Sequence, residues 1–137
     1  DISVSYEEDR ISTDGTYDIK MNGREVEVKT ARLGSSKSPN FQHEGLRDGE
    51  KCDNYIFVDV APEEFFLTIL NKKDTNLRSQ HPILKVTPHL RRKTENTYKF
   101  DTSYRSLARG IEGGITLRVT SDTKKQDVRD FILRHLS

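Results

Sequence analysis

The segment GTYDIKMNGREVEVKTAR, residues 15–32, decides the fold of this chain. Asn22-Gly23 at its centre is the dipeptide most typical of a two-residue β-hairpin turn, because both positions of that turn need a positive φ. Apolar and polar residues alternate on either side of it, as in strands with one buried face. The segment therefore predicts a hairpin in which residue 21 pairs with 24, 20 with 25, 19 with 26 and 18 with 27.

This register sorts the hairpin side chains onto two faces. The face that points away from the core is polar and places Asp18 directly across from Glu27. Lys29 lies on the same face, two residues beyond Glu27 on its strand. Facing carboxylates repel, and their Cβ atoms should lie roughly 4.5–5.5 Å apart. The apolar face, which we expect to pack on the core, carries Tyr17, Ile19, Met21, Val26 and Val28.

Two interpretations account for the facing acids. In the first, the hairpin lies at a solvent-exposed edge of the sheet, and its like charges repel only weakly because water screens them. In the second, Asp18 and Glu27 share a hard divalent cation, and the Val28 carbonyl and water molecules complete an octahedron. Lys29 beside such an ion could orient or deprotonate a water molecule, or stabilise charge on a phosphate group.

The composition limits the class of protein. The chain has 137 residues, 33% of them charged, and this length suggests one domain. A single cysteine excludes an internal disulfide and fits a reducing, intracellular compartment. No apolar run approaches the roughly 18 residues of a membrane span, and no signal peptide is visible. The histidines match no zinc-ligand spacing, and we expect His43 to be a surface residue.

Strand and helix signals continue along the chain. Runs of β-branched and aromatic residues predict strands at 54–60 and 64–70. The tail 121–137 has the strongest helical pattern, with a capping box formed by Thr123 and Gln126. Residues 71–101 are polar and basic and receive no assignment. The remaining predicted elements are a short strand at 2–6, a weak helix at 41–52, a helix at 102–109 and a strand at 114–120.

Asp18, followed by Glu27-Val28-Lys29 on the next strand of a hairpin, resembles the D…(D/E)xK motif of the PD-(D/E)xK, or restriction-endonuclease-like, nucleases. The resemblance covers about residues 10–60. It implies an α/β (α+β) fold, with a mixed central sheet and flanking helices, in a nuclease-like domain over residues 1–137. In this family the two acids bind Mg²⁺, for which Mn²⁺ can substitute, and the lysine assists the attacking water.

Carried over residue by residue, the resemblance implies metal binding by Asp18 and Glu27, a catalytic role for Lys29, and a further catalytic role for Gln42 on the following helix. The helix that precedes the hairpin in this family is not evident in residues 1–14. We expect it either to be reduced to residues 6–10, with Glu7 or Glu8 as an accessory acid, or to lie upstream. The chain begins with aspartate, so we expect it to be part of a longer protein with further domains.

The charge distribution separates an acidic part from a basic part. Residues 1–66 carry a net charge of −7, and residues 67–109 carry +7. If the protein binds nucleic acid, the basic part should contact phosphates. The candidates for DNA contact are Lys37, Arg47, Arg91, Arg92, Lys93 and Arg105.

The resemblance thus implies a Mg²⁺-dependent endonuclease of prokaryotic or phage origin that hydrolyses duplex DNA. Cleavage of both strands would suggest a homodimer. Two alternatives remain open at this point. One is a non-catalytic nucleic-acid-binding module of the same fold, and the other is a protein-interaction domain with solvated acidic and basic faces.

Overall fold

The structure, a computed structural model, describes residues 4–6, 17–35, 37, 39–47, 52–71, 85–88, 97–108 and 115–136. These residues form mostly strands, with two helices, so the fold is mixed α+β. The strands are β1 Val4–Tyr6, β2 Ile19–Met21, β3 Arg24–Arg32, β4 Asn40–Arg47, β5 Asn54–Val60, β6 Phe65–Asn71, β7 Lys85–Pro88, β8 Thr97–Ser103 and β9 Thr116–Val119. The helices are α1 Tyr104–Ala108 and α2 Lys125–Leu136.

A six-stranded mixed sheet, which we call the central sheet, has the strand order β1-β2-β3-β5-β6-β9. β3 and β5 run parallel, and the other neighbours run antiparallel. The predicted mixed sheet is confirmed, as are the strands predicted at 54–60 and 64–70 and the described parts of those predicted at 2–6 and 114–120. A restriction-endonuclease-like arrangement beyond this level remains an expectation.

The predicted hairpin turn is confirmed, because Asn22 and Gly23 have φ angles of 54° and 78°. The pairs 21–24, 20–25 and 19–26 also form as predicted. The ladder does not include the fourth predicted pair. Instead, the Asp18 N–H donates to the Val26 carbonyl at 2.9 Å, so the strand departs from regular pairing where the acid lies.

The two faces of the central sheet are covered by different elements. On one face, Val26 and Ile56 pack against Phe131 and Leu136 of α2. On the other face, which we call the polar-site face, aromatic residues of β5 and β6 pack against β4 and α1. The buried side chains on this second face are Phe41, Leu46, Tyr55, Phe57, Phe66, Leu70 and Leu107. Tyr17, predicted to lie with Ile19, packs on this second face instead, because it precedes the regular strand.

A second sheet with the order β4-β8-β7 covers the polar-site face. The weak helix predicted at 41–52 is therefore wrong, since residues 40–47 pair with β8 as a strand. Along β4, Phe41 and His43 are buried, whereas Gln42 and Glu44 are exposed. The prediction that His43 lies at the surface is also wrong, because its exposed fraction is 2%.

Helix α2 confirms the predicted C-terminal helix, and its apolar side chains form one stripe. Phe131 and Leu136 are buried, and Val128 and Ile132 pack beside them. The predicted capping box is wrong, since the Gln126 amide donates to Asp130 one turn later. Neither helix in the described part of the chain is long and apolar enough to cross a membrane.

Replacing Gly23 by alanine should lower the free energy of unfolding by about 1 kcal/mol, because an L side chain is strained at positive φ. Apart from its two neighbours in the chain, no atom of the described residues lies within 4 Å of the added Cβ, so the loss would come from the backbone alone. Gly34→Ala is the matched control, since its Cβ would meet the Asn40 carbonyl at an ordinary 3.5 Å. Urea unfolding compares the variants, and equal losses would show that the turn conformation is unimportant.

Candidate active site

The candidate site begins where β2 meets β3. The Val28 N–H donates to Asp18 Oδ2 at 2.8 Å, so the aspartate side chain takes a bond that a regular ladder would give to a backbone carbonyl. The N–H and C=O of one residue point to the same side of a strand, so the Val28 carbonyl also points towards Asp18. The carboxylate is therefore fixed against the backbone between Glu27 and Lys29.

Glu27 and Lys29 form an ion pair on the polar-site face. Lys29 Nζ lies 2.9 Å from Glu27 Oε1, which follows from the pleat, because residues two apart project from the same face. Glu27 is only 8% exposed. Its neighbours across the parallel ladder are aromatic, since Glu27 pairs with Tyr55 and Lys29 with Phe57. A carboxylate this buried needs compensating charge, and Lys29 supplies it.

The oxygen donors at this point fit a hard divalent cation. Mg²⁺ is usually held by one or two carboxylates together with waters and substrate phosphates rather than by a complete protein cage. Asp18 and Glu27 supply the carboxylates, and the two oxygens of an ionised carboxylate offer about four acceptor sites. Within the described ranges, no group of three or more His, Cys, Asp or Glu is arranged to hold a metal ion. A cation here would therefore depend on two carboxylates, the Val28 carbonyl and water.

The other predicted site residues lie on different elements or outside the described residues. Gln42 lies on strand β4 rather than on a helix, and its exposed side chain points away from the central sheet. Lys37 and Arg105 are exposed. Arg47 belongs to β4 by its backbone. Arg91, Arg92 and Lys93, like Glu7 and Glu8, lie outside the described residues, so their predicted roles stay predictions.

The structure contains a buried histidine–aspartate pair that was not predicted from the sequence. His43 Nε2 lies 2.6 Å from Asp59 Oδ1, and both side chains are 1% exposed. Asp59 follows Phe57, the partner of Lys29, by two residues on β5, so the pair lies on the polar-site face next to the Lys29 row. The signal was available in NFQHE, because a strand period of two places Phe41 and His43 on one face.

A second polar cluster lies at the far side of the same face. The Tyr104 hydroxyl donates to Glu64 Oε1, and the Arg118 Nε–H donates to Glu64 Oε2. The Arg118 hydrogen bond, followed by that of Tyr104, lowers the pKa of the Glu64 carboxyl. The same carboxylate raises the pKa of Tyr104 and of Arg118. These groups border a cavity of about 690 Å³ whose wall also includes Pro62, Glu63 and Ser121.

No family model, curated protein or solved structure matches this chain. We therefore infer its function from the geometry of its side chains.

Asp18→Ala should lower the free energy of unfolding by about 1–3 kcal/mol when no divalent cation is present, because the partly buried Val28 N–H loses its acceptor. Asp18→Asn should cost less, since the amide oxygen can still accept that bond and the negative charge beside Glu27 is removed. Chemical denaturation in the presence of a chelator measures both variants. Equal losses would show that the hydrogen bond from Val28 is not significant.

Glu64→Gln should reduce stability at neutral pH but not in acid. The folded-state pKa of Glu64 lies below the ordinary value of a glutamate, so its stabilising contribution is fully present above that ordinary value and is lost as the pH falls through the lowered pKa. Urea unfolding at neutral pH and near pH 3 tests this sign. Glu63→Gln, at the exposed neighbouring position, is the matched control. A Glu64→Gln deficit that is equally large in acid would contradict the assignment.

Proposed function

We propose that this protein is a Mg²⁺-dependent deoxyribonuclease that hydrolyses phosphodiester bonds, with duplex DNA as its substrate. One observation carries the proposal: the Asp18 carboxylate is bonded to the Val28 backbone, between the ion-paired residues Glu27 and Lys29. An acid, a second acid and a lysine thus meet on neighbouring strands. This donor set is suited to hydrolysis of a phosphate ester by water.

The acids and the lysine have separable roles in this proposal. Asp18, Glu27 and the Val28 carbonyl would hold the cation. When bound, the cation lowers the pKa of a coordinated water and neutralises charge on the phosphate. The hydrogen bond from Val28 restricts the Asp18 side chain before substrate arrives, and such pre-positioning reduces the entropic cost of reaching the transition state.

Lys29 is positioned by the acid that it neutralises. Its ammonium group has three donors, and the 2.9 Å contact with Glu27 uses one of them. A second donor can reach a water molecule or a phosphate oxygen at the same place. The Lys29 side chain is 23% exposed, so it is partly accessible to a substrate although the second sheet covers most of the polar-site face.

Binding of DNA requires positive charge from outside this acidic region. Residues 67–109 carry a net charge of +7, and Arg105 on α1 is exposed. Contacts from such residues are mostly to phosphates, so they position a duplex without reading its sequence. We propose that Lys37, Arg47, Arg91, Arg92, Lys93 and Arg105 provide this binding.

Lys29→Ala should reduce the cleavage rate by about 10²–10⁴-fold, because proton transfer or charge stabilisation in the transition state is lost. Supercoiled plasmid and linear duplex DNA, incubated with Mg²⁺ or with a chelator, provide the measurement. Lys20→Ala is the matched control, since Lys20 is an exposed lysine of the same hairpin. Asp18→Asn and Glu27→Gln should also abolish cleavage, whereas equal activity of the two lysine variants would refute the role of Lys29.

A binding measurement separates the metal site from catalysis. Mg²⁺ or Mn²⁺ should raise the melting temperature of the parent protein, because a ligand that binds only the folded state stabilises it. Asp18→Asn should lose most of this increase. DNA binding without metal-dependent cleavage would instead favour a non-catalytic nucleic-acid-binding module, and no binding of any polynucleotide at low salt would favour a protein-interaction domain.

A further inference from the structure

We propose that the cavity beside Arg118 binds a phosphate group, and that the Arg118 guanidinium is its main contact. This site is separate from the acids of the hairpin and does not depend on their metal chemistry. It involves a side chain of the edge strand β9, a turn between β5 and β6, and the first residue of α1.

Glu64 fixes the orientation of Arg118. The Glu64 side chain is 7% exposed and accepts a bond on each oxygen, from Tyr104 and from Arg118 Nε. The Tyr104 ring packs edge-to-face against Phe66 and at a tilt against Phe41. Arg118 uses one of its five N–H donors for Glu64, so the terminal nitrogens form a fork whose direction is set before any ligand binds. The Arg118 side chain is 50% exposed, which leaves this fork accessible.

The chemistry of the cavity favours a phosphate oxyanion. A guanidinium fork matches two oxygens of a phosphate group in a bidentate contact. The Ser121 hydroxyl in the same wall can supply a neutral donor to a third oxygen. Glu64 balances the charge of Arg118, and Glu63 adds a negative charge, so binding depends on directed hydrogen bonds rather than on net charge. The cavity volume of about 690 Å³ lies within the usual range of ligand sites.

The register of the central sheet places Arg118 on the same face as Lys29. Arg118 pairs with Phe66, Phe66 with Asp59 and Asp59 with Ala31, which follows Lys29 by two residues. Three strand spacings of about 4.8 Å and two residues of about 3.3 Å give a separation of roughly 16 Å between Arg118 and Lys29. Asp59 and Phe66, which lie between them in the sheet, are buried, so the sheet surface between the two sites is covered. The phosphate group bound by Arg118 can belong to a DNA backbone or to a free anion.

Titration with inorganic phosphate at constant ionic strength, followed by amide NMR, tests the site directly. Phosphate should shift the Ser121 amide and the Arg118 Nε–H signals in the parent protein. Arg118→Ala and Arg118→Lys should both weaken binding by about tenfold or more, because lysine keeps the charge but lacks the fork. Glu63→Gln should strengthen binding by removing a repelling charge. Arg134→Ala, on α2 at the opposite face, is the matched control and should leave binding unchanged.

Binding of duplex DNA in the presence of a chelator identifies the source of the phosphate. If the source is the DNA backbone, both Arg118 variants should make the slope of log K against log salt shallower by about one unit. If the source is a free anion, only the phosphate titration responds. The proposal is overturned if the parent protein responds in neither the phosphate titration nor the DNA-binding measurement. It is also overturned if Arg118→Lys gives the same result as the parent protein in both. Should Arg118→Ala not fold, Arg118→Lys and Glu63→Gln decide the outcome. If the parent protein binds phosphate but does not cleave DNA, only the proposed nuclease function is refuted.

Discussion

The positive φ angles at Asn22 and Gly23 are the constraint on which the candidate site depends. They allow a two-residue turn, and a two-residue turn leaves one possible register for the hairpin. A shift of one residue would rotate Glu27 and Lys29 towards the apolar helix α2 and would bring Val26 to the polar-site face. Burial of Val26 against α2 opposes such a shift. Local turn chemistry and long-range packing therefore select the same register, which is the consistency expected of a well-specified fold.

The sequence predicted the elements whose signals are local. Turn residues and the alternation of apolar and polar residues predicted the hairpin, and apolar runs predicted β5 and β6. Each of these patterns is contained within a few consecutive residues. It did not predict β4, whose pairing partner β8 is distant in the chain. The register also shifts between His43 and Leu46, so the alternation that would have indicated a strand is interrupted. The prediction that Gln42 lies on a helix was wrong for the same reason, because residues 40–47 form a strand.

The sequence predicted that Asp18, Glu27 and Lys29 lie near one another, but it did not predict how they are bonded. A regular ladder would place Asp18 across from Glu27, and the sequence contains no indication that the strand leaves this pattern at Asp18. The departure arises because a short carboxylate can accept a backbone N–H and so compete with the ladder. The result alters the physical meaning of the pair of acids. Hydrogen bonding to Val28 and the ion pair with Lys29 now reduce the repulsion that the sequence alone suggested.

The buried His43–Asp59 pair explains how the second sheet is held on the polar-site face. Burial of two polar side chains is costly, and the hydrogen bond between them offsets little more than their desolvation. Apolar contacts around the pair therefore stabilise the packing, among them the His43 ring against Phe57 at 4.8 Å between centroids. The directed bond to Asp59 instead restricts where β4 can lie, because any sliding of β4 would leave a buried carboxylate without its partner. Since Phe57 also pairs with Lys29, the contact that positions the second sheet shares a residue with the candidate active site.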